Sequence, residues 1–209
     1  MMEVRGVKNR ETHQWLLKRH YAKRIPSISH AFGLYNDMSL IGVVTYGMPP
    51  NYAEMKAWEP YQIIELNRLV VEDCSPKNSA SVLVGRSIKM LPSPCVVISY
   101  ADFRMGHVGY IYQATNWVYT GVGGEGHPIY IMKDGSERHP RHEKDLDMGL
   151  VDHVEKTMGK HRYYFFHGNK KEKADMEDKL RFPSLPYPKG DTSRYDASGH
   201  VEKQGILFQ

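Results

Sequence analysis

The sequence predicts one α/β domain built on a mixed central sheet with helices packed against it, and three observations carry that prediction. HAFGLY and SLIGVVTYG, rich in β-branched and aromatic residues, flank Asn36 and Asp37, so residues 30–47 read as a β-hairpin. IIELNRLVVE and CVVISYAD are each followed by a segment with helical spacing, which adds two strand–helix units after the hairpin. CVVISYAD is almost continuously apolar, the pattern of a strand buried on both faces as parallel strands are.

The remaining elements follow from local chemistry. Residues 9–22 form a helix with Asn9 as its N-cap and Thr12, Trp15, Leu16 and Arg19 on one semi-apolar face, ending ahead of Pro26. MPPNYAEMKAWEPY, punctuated by proline, reads as a loop. SPKNSASVLVGRSIKML is a helix with a Ser/Asn-rich start, and GHVGYIYQATNWVYTG a helix closed by Gly121. PIYIMKDGSERHPR holds a short strand and a DG turn, DLDMGLVDHVEKTMGK reads as a helix, and HRYYFFHG as a strand. With no repeat and no linker, residues 1–190 make one domain, and 191–209 a loosely ordered tail.

Composition narrows the class. At 209 residues and 24.1 kDa the chain is long enough to bury ~70 % of its unfolded surface. A hydrophobic fraction of 41 %, a charged fraction of 25 % and a mean hydropathy of −0.55 exclude fibres and disordered tails. No stretch reaches the ~18 apolar residues of a membrane span, and MMEVRGVKNRE lacks an apolar signal core, so a cytoplasmic protein with no membrane partner is expected. Cys74 and Cys95 suit reduced, buried thiols. The net charge is +4 with a pI of about 8.9, and the cations gather in two clusters. One holds Lys18, Arg19, His20, Lys23 and Arg24, the other Lys160, His161, Arg162, Lys170, Lys171 and Lys173. Interleaved with rings, both suit a polyanion, and they are expected to converge on one face.

Several residues stand where chemistry is placed in α/β proteins. Asp102 ends the buried strand, with a helix cap as its structural alternative. Tyr112 lies one or two turns into the next helix, with a core tyrosine as its alternative. His107 precedes it as a ligand or base. Arg68 in ELNRLVV points into the cleft on an alternating strand, with Glu65 on the other side. His139, His142 and His153 fall in a segment so polar that a solvated face accounts for them. Tyr21, Tyr46, Tyr52, Trp58 and Trp117 are the rings available to stack on a base, most of them expected in the core.

ELNRLVVE resembles the fourth-strand signature of the acetyltransferase-like (GNAT) superfamily, in which a bulge splays two parallel strands to admit a pantetheine arm. The glycine-rich pyrophosphate loop of that superfamily is replaced by CSPKNSAS, where Asn78, Ser79, Ser81 and free helix-start N–H groups would take its place. RHYAKR, ELNRLVVEDCSPKNSAS and SYADFRMGHVGYIYQATNWVYTG, with RYYFF and LPYPK, resemble the Mom family of bacteriophage DNA-modification proteins over most of residues 10–190.

That resemblance implies a single GNAT-like domain with splayed parallel strands. It implies an enzyme that attaches a small carbamoyl-bearing group to the N6 amine of adenine in double-stranded DNA, shielding it from restriction in the host cytoplasm. It places His20, Tyr21, Asp102 and Tyr112 as catalytic residues around one cleft and as a candidate iron set. An acyl-CoA donor would lie against Asn78, Ser79 and Ser81, and Lys18, Arg19, Lys23 and Arg24 would contact DNA. Two rival readings stay open at this point: an acyl-CoA-dependent N-acyltransferase acting on a protein or metabolite amine, and a non-catalytic DNA-binding module.

Overall fold

The structure, a computed structural model, describes residues 2–124, 126–138 and 145–190. The chain runs β1 (Met2–Gly6), α1 (Asn9–Lys18), β2 (His30–Asn36), β3 (Ser39–Gly47), α2 (Tyr52–Ala57), β4 (Gln62–Val71), α3 (Ser79–Ile88) and β5 (Cys95–Ala101). It continues through α4 (Tyr110–Ala114), β6 (Val118–Gly123), β7 (Pro128–Met132), β8 (Glu137–Arg138), β9 (Val151–Lys156), β10 (Lys160–His167) and α5 (Lys170–Asp178). Seven strands form one mixed sheet in the order β1-β2-β3-β4-β5-β10-β6, and β8-β7-β9 form a second, small one. Within the large sheet only β4 and β5 are parallel. This is the mixed central sheet with helices packed against it that the hairpin and strand–helix order predicted.

The β2–β3 hairpin turns through Asp37 (φ 46°) and Met38 (φ 78°), the two positive φ angles a tight two-residue hairpin loop requires. Helix α1 buries Thr12 and Leu16 as expected, but it stops at Lys18. It starts one residue earlier in role: Lys8 is the cap, its N–H donating to Glu11 Oε1 at 2.7 Å, while Asn9 Nδ2 donates to Ile28 O.

Four expectations are corrected. The proline-punctuated loop contains α2, started by Asn51 Oδ1 accepting from Ala53 N–H. The helix expected as far as Gly121 ends at Ala114; Asn116 turns the chain at φ 59°, and the aromatic, β-branched run after it pairs with β10 as β6. The segment DLDMGLVDHVEKTMGK is a 3-10 turn at Met148–Leu150 followed by β9, because pairing with β7 outweighs a weak helical pattern. Cys74 is exposed, while Cys95 is buried. Strand β1 and helix α5 had no clear sequence signal. His139, His142 and residues 191–209 lie outside the described residues, and His153 sits exposed on β9 between Asp152 and Glu155.

Two features of β4 position the site. Its parallel pairing with β5 covers only Gln62–Glu65 against Cys95–Ile98, and beyond that the strands part. The register against β3 jumps from Tyr46↔Leu66 to Thr45↔Arg68, leaving Asn67 as a bulge. The bulge resets side-chain alternation. Ile64, Leu66, Leu69 and Val71 join the core against α3, with Leu83, Val84 and Trp117. Ile63 and Val70 pack on the opposite face, against the α2/α5 and α1 clusters respectively. Glu65 and Arg68 fall on this second face together, whereas plain alternation would have separated them.

Asn67 also anchors the chain after α1. Its Oδ1 accepts from Thr45 Oγ1 at 2.6 Å and its Nδ2 donates to Ser27 O at 2.8 Å. The same carbonyl would lie 2.0 Å from a Cβ on residue 47, so only glycine lets this connection lie flat on the sheet.

Candidate active site

The splay between β4 and β5 is bridged on the α3 side. Ser99 Oγ donates to Leu66 O at 2.8 Å, and Tyr112 OH lies 2.7 Å from Ser99 Oγ. A serine hydroxyl has one proton, so with that proton on Leu66 O it is Tyr112 that donates to Ser99. Burial pushes the Tyr112 phenol well above its ordinary pKa, so it keeps its proton. Its ring is held by Trp117 and Tyr163 at centroid distances of 4.9 and 5.1 Å. Gly109, with φ +81°, starts the short helix; a Cβ there would come 2.5 Å from the Tyr163 ring. The segment after α5 straps this region: Leu185 N–H donates to Tyr119 O and Tyr187 OH to Trp117 O.

On the other side of the splay lies a cluster of cations. Glu65 is half-buried, and makes no hydrogen bond or ion pair among the described residues. Burial raises its pKa, and Arg68, Lys160 and Arg24 work against that rise, so all three cations stand around this one carboxylate. Asp102 at the end of β5 pairs with Lys160 Nζ at 2.9 Å. His20, 7 % exposed, stacks on Tyr21 at 4.4 Å, and Tyr21 meets the edge of His107 at 5.9 Å. Burial, then Arg68, His107 and Lys160, push His20 down to about 3.

The structure therefore brings His20, Tyr21, His107, Asp102 and Tyr112 to one splayed cleft. Glu65 stands beside them, and sequence reasoning placed it on the face opposite Arg68. Glu65 had no signal beyond its place in ELNRLVV, because the bulge that turns it beside Arg68 is not visible in an alternation pattern.

Other expected residues do different work. Of the five rings, Tyr46, Trp58 and Trp117 are core, at 0, 3 and 0 % exposure, which leaves Tyr21 and the exposed Tyr52. Arg19 stacks on Trp15 at 4.5 Å and pairs with Glu72 at 2.8 Å, while Lys18, Lys23 and Arg24 are exposed. The two basic clusters do not converge as a whole. Lys160 reaches the cleft, but β10 runs away from it, so Lys170, Lys171 and Lys173 on α5 start about 20 Å off at the other end of the sheet.

Neither implied cofactor finds its partners here. For a pyrophosphate, Ser79 Oγ donates to Pro76 O at 2.6 Å and Ser81 Oγ to Asn78 O at 3.0 Å, so both hydroxyl protons are engaged within the helix start. For iron, Tyr112 holds its proton, Asp102 holds Lys160, and His20 Nδ1 accepts from Ala22 N–H at 3.0 Å. A neutral His20 bonded in that way carries its proton on Nε2 and offers no lone pair there. No group of three or more His, Cys, Asp and Glu side chains suited to a metal occurs among the described residues. The iron donor set therefore does not fit, and of the pyrophosphate set the two hydroxyls are already engaged.

The model of the Mom protein family matches residues 1–189. The chain belongs to the Mom protein family. Its similarity extends to the methylcarbamoylase Mom of Escherichia phage Mu, at 29 % identity over 191 residues, covering 82 % of this chain and 77 % of that protein. Among solved structures, this Mom family member is similar to a Bacillus cereus IAA acetyltransferase, with 11 % identity and a TM-score of 0.47 over 79 % of this chain and 99 % of that one. A GNAT-family acetyltransferase of Bacillus cereus matches at 13 % identity and a TM-score of 0.43, covering 80 % and 98 %. Among the described residues no helix is long and apolar enough to cross a membrane.

The buried histidines make stability depend on pH. His20 is depressed in the folded state, as are His107, His161 and His167, each mainly by burial. The unfolded chain therefore binds more protons below about pH 6.5, and stability falls as pH falls, by up to ~1.4 kcal/mol per unit from His20 alone. The raised Glu65 acts in the opposite sense, since the native state takes up its proton first. Thermal melts are expected to show a lower Tm at pH 5 than at pH 7, and a smaller drop for His20→Asn; equal Tm values would contradict burial of neutral imidazoles.

Proposed function

We propose that this protein modifies the N6 amine of adenine in double-stranded DNA with a small carbamoyl-bearing group. The observation that carries the reading is the carboxylate of Glu65, without a hydrogen-bond or ion-pair partner among the described residues, set among cations on one side of a splayed sheet whose other side presents the proton-bearing Tyr112. Membership of the Mom family and the similarity to the phage Mu methylcarbamoylase support the group transferred.

Adenine N6 is a weak nucleophile, because its lone pair is delocalised into the ring, and a nearby base raises its reactivity. Glu65 takes one N6 proton as the nitrogen bonds to the electrophilic carbon of an activated donor. The bond to the donor's leaving group breaks, and that group takes the Tyr112 proton across the gap between β4 and β5. Arg68 and Lys160, the latter held by Asp102, oppose the rise that burial gives the Glu65 pKa and so favour its ionised form before the transfer. In a duplex the amine is paired and stacked, so the base leaves the helix to reach the cleft, where Tyr21 offers a ring to stack against. Lys18, Lys23 and Arg24, exposed beside that cleft, meet phosphates. An acyl-CoA N-acyltransferase has less support, because the hydroxyls expected against its pyrophosphate are turned inward.

Plasmid DNA from cells expressing the protein is expected to resist restriction enzymes whose sites contain adenine, and to remain sensitive to those reading only G and C. Full sensitivity to both classes would contradict the proposal.

A further inference from the structure

We propose that His20 and Glu65 together read the Watson–Crick edge of the extruded adenine, His20 Nε2–H donating to N1 while Glu65 accepts from the N6 amine. The inference deepens the DNA-adenine reading above and rests on it. It gives His20 the role of a hydrogen-bond donor that positions the base, in place of a metal ligand or proton acceptor.

The ring of His20 is fixed in one orientation. Its Nδ1 accepts from Ala22 N–H at 3.0 Å, two residues on, in the turn that ends α1. Tyr21 stacks on it at 4.4 Å, and the residue is buried apart from 7 % of its surface. With Nδ1 accepting, the single proton of the neutral ring lies on Nε2. That N–H has no partner among the described residues, yet it is absent from the polar atoms sealed away from solvent. A donor held rigidly, unsatisfied and reachable, is suited to an acceptor that arrives with a ligand.

The complementary group is Glu65. It too lacks a partner among the described residues, its ionised carboxylate accepts and does not donate, and Arg68 and Lys160 are near enough to act on both residues. The cleft thus pairs one fixed donor with one acceptor. Adenine presents the matching order, an acceptor at N1 beside a donor at N6, whereas guanine presents N1–H beside the O6 acceptor and would set donor against donor and acceptor against acceptor. The same contact that rejects guanine delivers the N6 proton to Glu65, so recognition and proton removal are one geometry.

The test uses the full-length protein and fluorescence anisotropy with duplexes in which the target base faces an abasic site, so that extrusion is easy. Three targets are compared: adenine, 1-deazaadenine, which replaces the N1 acceptor by C–H, and 7-deazaadenine, which keeps it. The wild type is expected to bind 1-deazaadenine about tenfold more weakly than adenine, and 7-deazaadenine equally well. His20→Ala is expected to erase the difference, and His20→Gln, which retains an N–H donor, to restore part of it. A purely structural His20 would leave the discrimination in place. Wild-type indifference to the N1 atom, greater sensitivity to 7-deazaadenine, or discrimination surviving in His20→Ala overturns the inference while leaving the DNA reading intact. Failure to bind any of the duplexes overturns the DNA reading and this inference with it. Independently of DNA, 15N spectra of the histidine-labelled protein at neutral pH are expected to show His20 protonated on Nε2; protonation on Nδ1 overturns the inference whatever the binding data show.

Discussion

Glu65→Gln is expected to lower adenine modification by about 10² to 10⁴-fold, the usual worth of a general base, and to leave the protein folded. The amide keeps the size of the carboxylate but cannot take the N6 proton. Nothing in the fold hangs on the carboxylate, since it forms no hydrogen bond or ion pair among the described residues. Circular dichroism melts alongside nucleoside analysis separate the two effects. A fully active Glu65→Gln variant would move the base to another residue, and an unfolded one would make Glu65 a structural group. Tyr112→Phe tests the opposite side of the splay: the Ser99 to Leu66 hydrogen bond remains, but the leaving group loses its proton source.

Trp117→Ala is expected to destabilise the protein by about 3–5 kcal/mol, the range for deleting a large buried aromatic side chain. Trp117 is fully buried, packs on Phe165 at 5.8 Å and supports Tyr112 at 4.9 Å. For a protein of this size that corresponds to a fall of about 10 °C in Tm. Activity should fall further than the folded fraction explains, because the cavity lies against the ring that places the Tyr112 hydroxyl. Urea denaturation of the variant checks the first figure, and a loss under about 1 kcal/mol would mean that the site repacks.

How much of this was legible in the chain depended on the range of the interactions. The hairpin was, because Asn36 and Asp37 sit between two strand-forming runs, and so was β5, whose seven residues are nearly all buried. Segments whose state depends on a distant partner were not. WVYTG carries on from a helical pattern and becomes β6 only because β10 is there to pair with it, and VDHVEK becomes β9 only against β7. In the site, the RHYAKR and SYADFRMGHVGYIY segments located His20, Tyr21, Asp102, His107 and Tyr112, since each lies in or just beyond a readable element. Glu65 was placed opposite Arg68 because a one-residue bulge, invisible in the alternation of ELNRLVV, decides which face it occupies. The engagement of Arg19 by Trp15 and Glu72 was hidden for the same reason: Glu72 is far away in sequence.

The central claim, that the cleft between β4 and β5 modifies adenine, is tested most directly by mass spectrometry of nucleosides digested from the DNA of cells expressing the protein. Wild-type protein is predicted to convert a fraction of deoxyadenosine to a heavier form whose added mass resides on N6 and contains a carbamoyl group, with Glu65→Gln leaving deoxyadenosine unchanged at equal expression. Unmodified deoxyadenosine in the wild-type sample, together with acylation of a small-molecule or protein amine, would contradict it.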